Sequence, residues 1–308
     1  MRRVLVLVNA GALVAAAVAA VLIVRASDRG SVASGAVPAA RVDRFDGDRA
    51  WAWVERQIAY GQRPAGSPQL RRLAAVLRAK LPDGHFEPLP SPGMRNVVGR
   101  LPGRGRAVIV GAHYDTLATP KGFVGANNGA AGTAIVLELA RVLARMDRPA
   151  GAPPIRFVLY DGEEPPGLPE NDRDFYHHGL RGSRADARAN ARGTRAMILL
   201  DYVGGRGLRL PREGSSTPAL WAQLRAAAAA VGAGAVFPDR TGLTILDDHT
   251  PYLRAGVPAV DLIDWSYPGH SLRDGLGRMS ERSLDAVGET VLELVRRLDA
   301  QYAVVRAR

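Results

Sequence analysis

RAVIVGAHYDTLATPKGFVGANNGAAGTAIVLELARVLARM, residues 106–146, decides how this chain folds. An apolar run without polar interruption ends in His-x-Asp, a Gly/Ala-rich loop follows, and the pattern then changes to helical spacing. An unbroken apolar strand feeding a helix is the repeating unit of a mainly parallel sheet covered on both faces. The unit recurs. IRFVLYD (155–161), RAMILLDYV (195–203) and PAVDLID (258–264) read as further strands, with helices at 217–231 and 283–300. Upstream, RNVVGRL (95–101) is a strand, residues 48–61 form a short amphipathic helix, and Ser67 caps a second helix that runs to about Lys80. The chain is thus α/β.

Outward from that centre, 308 residues with 47% apolar content suffice for one large domain or two small ones. The formal charge of +11 arises from 41 basic and 30 acidic residues. The arginines are scattered and form no basic stripe interleaved with aromatics, which argues against nucleic acid as a partner. Residues 4–24 are uncharged and apolar, about as long as a bilayer core requires. Arg2 and Arg3 precede them, so residues 1–25 read as a signal anchor or signal peptide. The expected location is the cell membrane, single-pass with an extracytoplasmic domain, or secretion after cleavage. A Ser/Gly/Ala/Pro-rich flexible linker is expected at 26–47 and the folded domain at 48–308. The chain has no cysteine, so disulfides contribute nothing.

In a parallel sheet, ligands bind at the carboxyl ends of the strands. Polar residues gather there: His113 and Asp115, Glu163 and Glu164, Asp201, and His270 shortly after the last strand. Asp115 follows His113 by two and is placed to orient its imidazole. His113, Glu164, Asp201 and His270 form an imidazole and carboxylate inventory that suits zinc, with Glu163 placed as a general base beside it. His85, His177 and His178 sit among polar residues and read as solvated. The segment 165–179 reads as a long loop, a candidate lid, and Asp247 as either a cap for the helix after it or a site residue.

AHYDT, VGANNGAAGTAIVLELA, DGEE, GLRGSR, LLDYVG, DDHTPYLRAGVP and the late His270 occur in an order that resembles the zinc exopeptidases of metallopeptidase family 28, which includes aminopeptidases and glutaminyl cyclases. The resemblance spans about residues 51–300. It implies a three-layer α/β/α sandwich with a central mixed, mostly parallel sheet, and peptide or protein N-termini as substrate. The aminopeptidase pattern would place His113, the position of Asn128, Glu164, Asp201 and His270 around two zinc ions, with Glu163 as base and Asp115 behind His113. The cyclase pattern implies one zinc at the position of Asn128, Glu164 and His270, with Glu163 moving the proton and Asp201 and Asp247 sharing its hydrogen-bond network. DDH at 247–249 resembles the cyclases. Gly269 departs from them, since they carry Trp there, and Trp265 is a candidate substitute.

Asn128 stands where both branches carry a metal-binding Asp. An amide lacks the charge and the second oxygen that bridging two cations requires, so one zinc ion is expected rather than two. The alternatives are an active metallopeptidase or glutaminyl-peptide cyclotransferase, and a peptide-binding protein whose catalysis is weakened by Asn128.

Overall fold

Capping and pattern define the first elements of the computed structural model, which describes residues 36–167 and 169–304. Helix α1 (Gly47–Ile58) starts where the Asp46 carboxylate accepts from the Arg49 N–H, and α2 (Pro68–Arg78) where the Ser67 hydroxyl accepts from the Leu70 N–H. Strands β1 (His85–Pro88), β2 (Arg95–Leu101) and β3 (Ala107–His113) follow. After a π-turn at Ala126–Ala131 come α3 (Gly132–Leu143), β4 (Ile155–Tyr160), α4 (Asp172–His178) and α5 (Arg181–Asn190). The chain continues through β5 (Thr194–Asp201), α6 (Pro218–Val231), α7 (Thr250–Arg254), β6 (Ala259–Ile263) and α8 (Glu281–Val304).

The sheet order is β1-β2-β4-β3-β5-β6. Strands β4, β3, β5 and β6 are parallel, while β1 and β2 are an antiparallel edge. The sheet is therefore mixed and mostly parallel, as the resemblance implied. Alternation along β3 separates two apolar layers. Val108, Val110 and Ala112 belong to one core layer with Ile135 and Leu139 of α3 and Val291 and Val295 of α8. Ile109 faces the other way, with Val158, Met197, Leu199 and Tyr252. Helix α3 lies so close to β5 that a Cβ at Gly132 would fall 2.1 Å from the Leu200 carbonyl oxygen. Only glycine permits that approach.

Three sequence expectations require correction. The segment read as a long loop at 165–179 contains α4, capped by Asn171, whose side chain accepts from the Asp174 N–H at 3.0 Å. The edge strand β1 was not expected; its four residues carry little apolar pattern. The part of the expected linker that is described, 36–46, is packed rather than free. Val37 and Phe45 are buried, and the Arg41 N–H donates to the Val231 carbonyl at 2.7 Å. Glu289 accepts from the Phe45 N–H at 2.7 Å and pairs with Arg44 at 3.3 Å. Two apolar residues spaced along a Ser/Gly/Pro-rich segment are its anchors. The expected signal segment at 1–25 lies outside the described residues, among which no helix is long and apolar enough to cross a membrane.

Phe45 fits against Gly288, where a Cβ would fall 2.5 Å from its ring. Phe45→Ala should therefore destabilise the domain by about 3 kcal/mol, the cost of emptying a buried aromatic site. Urea unfolding measures this, and an unchanged midpoint would show that the strap is not packed.

Candidate active site

Because β3 to β6 run parallel, their carboxyl ends open on one edge of the sheet. His113 is the last residue of β3 and Asp201 the last of β5, while Glu163 and Glu164 follow β4 within four residues. All four are buried, with Asp115, Asn128 and Asp247. His270 is the open member, its side chain 47% exposed, on the loop after β6 and at φ +48°.

The donors fall into two groups rather than one. In the first, His113 Nε2 lies 3.3 Å from Asp201 Oδ1, and its Nδ1 faces Asp115 Oδ1 at 3.4 Å and Glu163 Oε2 at 3.9 Å. Asp115 is fixed in turn by the Glu163 and Glu164 N–H groups, each donating at 3.3 Å. In the second, Glu164 Oε1 accepts from Asn128 Nδ2 at 2.6 Å and lies 3.5 Å from His270 Nε2. Among the described residues no three His, Cys, Asp or Glu side chains converge tightly enough to hold a metal ion. The five residues expected to hold metal, His113, Asn128, Glu164, Asp201 and His270, thus stand at one rim in these two groups, and the third member of the Glu164 group is an amide.

Asn127 and Asn128 have different tasks. The Asn127 side-chain oxygen accepts from the Gly204 N–H at 2.6 Å, tying the loop to the turn after β5. Asn128 faces the site. Both backbone N–H groups donate to Asp274, at 2.8 and 3.0 Å, and Asp274 also accepts from the Tyr267 hydroxyl at 2.9 Å. A carboxylate at this helix start answers both the unpaired N–H groups and the helix dipole. Sequence reasoning missed Asp274; its only signal is an acid four residues after His270.

Asp247 does not cap α7. Its Oδ1 accepts from the Asp248 N–H at 2.5 Å, its other oxygen is buried without a partner, and it lines the cleft. The cleft holds about 480 Å³ and is lined by the polar Asn128, Glu163, Asp201, Asp247 and His270 and by the apolar Phe175, Ile245, Leu246, Ile263 and Trp265. Trp265 meets His270 and Tyr202 edge-on at 6.3 and 6.2 Å. Tyr202, at φ +49°, occupies the space beside Gly269, where a Cβ would fall 2.3 Å from its hydroxyl oxygen. No larger residue fits at 269, so the aromatic wall comes from Trp265 and Tyr202. His85, His177 and His178 are exposed and stand apart from the site.

Burial pushes the Glu163 carboxyl well above its ordinary range, reinforced by Glu164 and only partly offset by His113. Burial and the neighbouring Asp201 and Asp248 do the same to Asp247, and burial takes Asp248 to about 7. Burial lowers the His113 and His270 imidazoles, but their carboxylate neighbours outweigh it and hold both above the usual histidine value.

Glu164 Oε2 is buried with no hydrogen-bond partner. Turning the Asn128 amide over would bring its oxygen against Glu164 Oε1, an arrangement that only a cation between them stabilises. The donor chemistry of Glu164, His270 and the Asn128 amide oxygen thus fits zinc. His113 Nε2 meets Asp201, while its Nδ1 is buried without a hydrogen-bond partner.

The profile of Peptidase family M28 matches residues 96–295. Glutaminyl-peptide cyclotransferase of Bos taurus is 25% identical over 226 residues, which cover 62% of this chain and 62% of that protein. The chain thus spans under two thirds of that relative's length. The crystal structure of Acidobacteriales bacterium glutaminyl cyclase superimposes with a TM-score of 0.72 at 27% identity, covering 84% of this chain and 96% of that one. A leucine aminopeptidase precursor from Bacteroides thetaiotaomicron gives a TM-score of 0.73 at 28% identity, covering 83% and 99%. With residues 96–295 matched, more than half of the chain, and the motif residues gathered at one sheet edge, this chain belongs to peptidase family M28.

Proposed function

We propose that the protein is a zinc-dependent enzyme that acts on peptide N-termini and converts N-terminal glutamine to pyroglutamate. The carrying observation is the meeting of Glu164, His270 and Asn128 at the cleft, with Glu164 Oε2 buried and without a hydrogen-bond partner, which supports this group as a place for a cation. Zinc held by Glu164, His270 and the Asn128 oxygen would polarise the carbonyl of the glutamine side-chain amide. Glu163 takes a proton from the substrate's α-amine as its nitrogen bonds to the side-chain carbonyl carbon. It returns that proton to the departing ammonia as the carbon–nitrogen amide bond breaks. Asp247 and Asp201 line the same cleft and offer hydrogen-bonding groups to the substrate amine. Ile245, Leu246, Ile263 and Trp265 give the cleft an apolar surface for the rest of the substrate. The apolar run at 4–24 supports an extracytoplasmic domain, anchored through an N-terminal helix or secreted.

Aminopeptidase action is the second reading, favoured by the leucine aminopeptidase precursor among the structural neighbours. Glu163 would then activate water. Gln-peptides and Leu-peptides separate the two: ammonia release with the peptide bond intact supports cyclisation, and free amino acid supports hydrolysis. Turnover of neither by zinc-loaded protein would favour a peptide-binding protein.

Two substitutions test the residue roles. Glu163→Gln should lower kcat by about a thousandfold, as loss of a general base does, while zinc content stays unchanged. Asn128→Asp should tighten zinc binding at least about tenfold in a chelator competition. Unchanged affinity would remove Asn128 from the ligand set.

A further inference from the structure

One wall of the cleft, residues 243–247, belongs to a segment in which 242–246 form neither helix nor strand. Leu243 is 66% exposed, so this wall has little apolar packing to hold it. Behind it lies Glu213, only 2% exposed and absent from the chemistry above. Its Oε1 accepts from the Ile245 N–H at 3.0 Å and the Ser215 N–H at 2.9 Å. Its Oε2 accepts from the Ser216 N–H at 2.7 Å and the Ser216 hydroxyl at 2.9 Å, and pairs with His249 Nε2 at 3.2 Å. The Ser215 hydroxyl stands 2.9 Å from both Glu213 Oε2 and His249 Nε2.

These donors come from separate segments. Ile245 is in the wall, Ser215 and Ser216 form the turn into α6, and His249 directly precedes α7. The Ser216 hydroxyl also accepts from the Asp261 N–H of β6 at 2.9 Å, so the cluster is pinned to the sheet. Beside it the Gly214 N–H donates to the Leu243 carbonyl at 2.7 Å. Burial raises the Glu213 carboxyl, but the His249 contact and the Ser215 and Ile245 N–H groups bring it down to about 2. It is a carboxylate at any working pH, and a carboxylate only accepts. A glutamine would turn an NH₂ group toward donors, and an apolar residue would leave the Ile245 N–H without its partner.

We propose that Glu213 is a positioning residue: it clasps the wall at residues 243–247 to the sheet and so sets which peptide N-termini fit between that wall and His270. The inference rests on the reading of the cleft as a peptide N-terminus site. It goes beyond that reading in assigning substrate fit to a residue that touches no substrate.

The test uses Glu213→Gln, Glu213→Asp and Ser215→Ala in the full chain, with hydrogen exchange at residues 241–247 and steady-state kinetics on Gln-peptides and Leu-peptides. Glu213→Gln should speed exchange of the Ile245 amide at least about tenfold and raise KM about tenfold with kcat within about threefold, the split expected of lost ground-state positioning. Glu213→Asp keeps the charge and should recover part of the KM. Ser215 is exposed, so Ser215→Ala tolerates replacement and should shift exchange and KM in the same direction, by about twofold to threefold, if Glu213→Gln does not fold. Wild-type exchange and KM in a folded variant, or a loss of kcat at constant KM, overturns the proposal. If wild-type protein turns over neither substrate, the activity reading fails separately. The exchange rates and the peptide Kd from calorimetry then decide the positioning role by the same criteria.

Discussion

Asp115, Glu163, Glu164, Asp201, Asp247 and Asp248 are all buried near one edge of the sheet, and their mutual repulsion is the constraint to which the rest of the site answers. Like charges in a poorly solvated cleft must be protonated, paired or shared with a cation. The first two solutions are visible, and the third has a candidate place. Glu163, Asp247 and Asp248 are pushed toward their neutral forms. His113 stands between Asp115 and Asp201, and His270 faces Glu164. The last solution, a cation, has its place at Glu164, whose second oxygen is buried without a partner.

Asn128 changes the balance among these solutions. An aspartate in its place would add a further carboxylate beside Glu164, to be neutralised by metal. The amide instead donates a 2.6 Å hydrogen bond to Glu164 and removes one negative charge. On the proposed reading this favours the metal-free site over the metal-bound one, because the amide must turn over before its oxygen can coordinate. Asp274 offsets part of the loss. Its carboxylate accepts the backbone N–H groups of Asn127 and Asn128, so the start of α3 keeps an anionic partner although the side chain at 128 is neutral.

What was legible in the sequence follows from which interactions are local. The strands at 95–101, 107–113, 155–160, 194–201 and 259–263 announce themselves as apolar runs, α1 through its amphipathic pattern and α2 through the Ser67 cap. The rim was legible because a parallel sheet places every strand's carboxyl end together, which located His113, Glu163, Glu164 and Asp201. Long-range pairing was not legible. Nothing around Asp274 shows that it reaches back 146 residues to Asn128, and nothing around Glu213 shows that it holds Ile245. Phe45 and Val37 were lost in a composition that elsewhere marks a tether, since two apolar residues make no periodicity. Asp247 preceded a helix and invited a capping assignment, yet tertiary burial turned it into the cleft.

Membership in family M28 leaves the count and place of the metal as the central proposal: one ion, at Glu164 and His270, with His113 outside its ligand set. Metal content per chain, measured by plasma mass spectrometry on zinc-equilibrated and desalted protein, tests this most directly when wild type is compared with His113→Ala and Glu164→Ala. The account predicts close to one zinc per chain in wild type and in His113→Ala, and none in Glu164→Ala. Two zinc ions per wild-type chain, or loss of zinc on replacing His113, would contradict it.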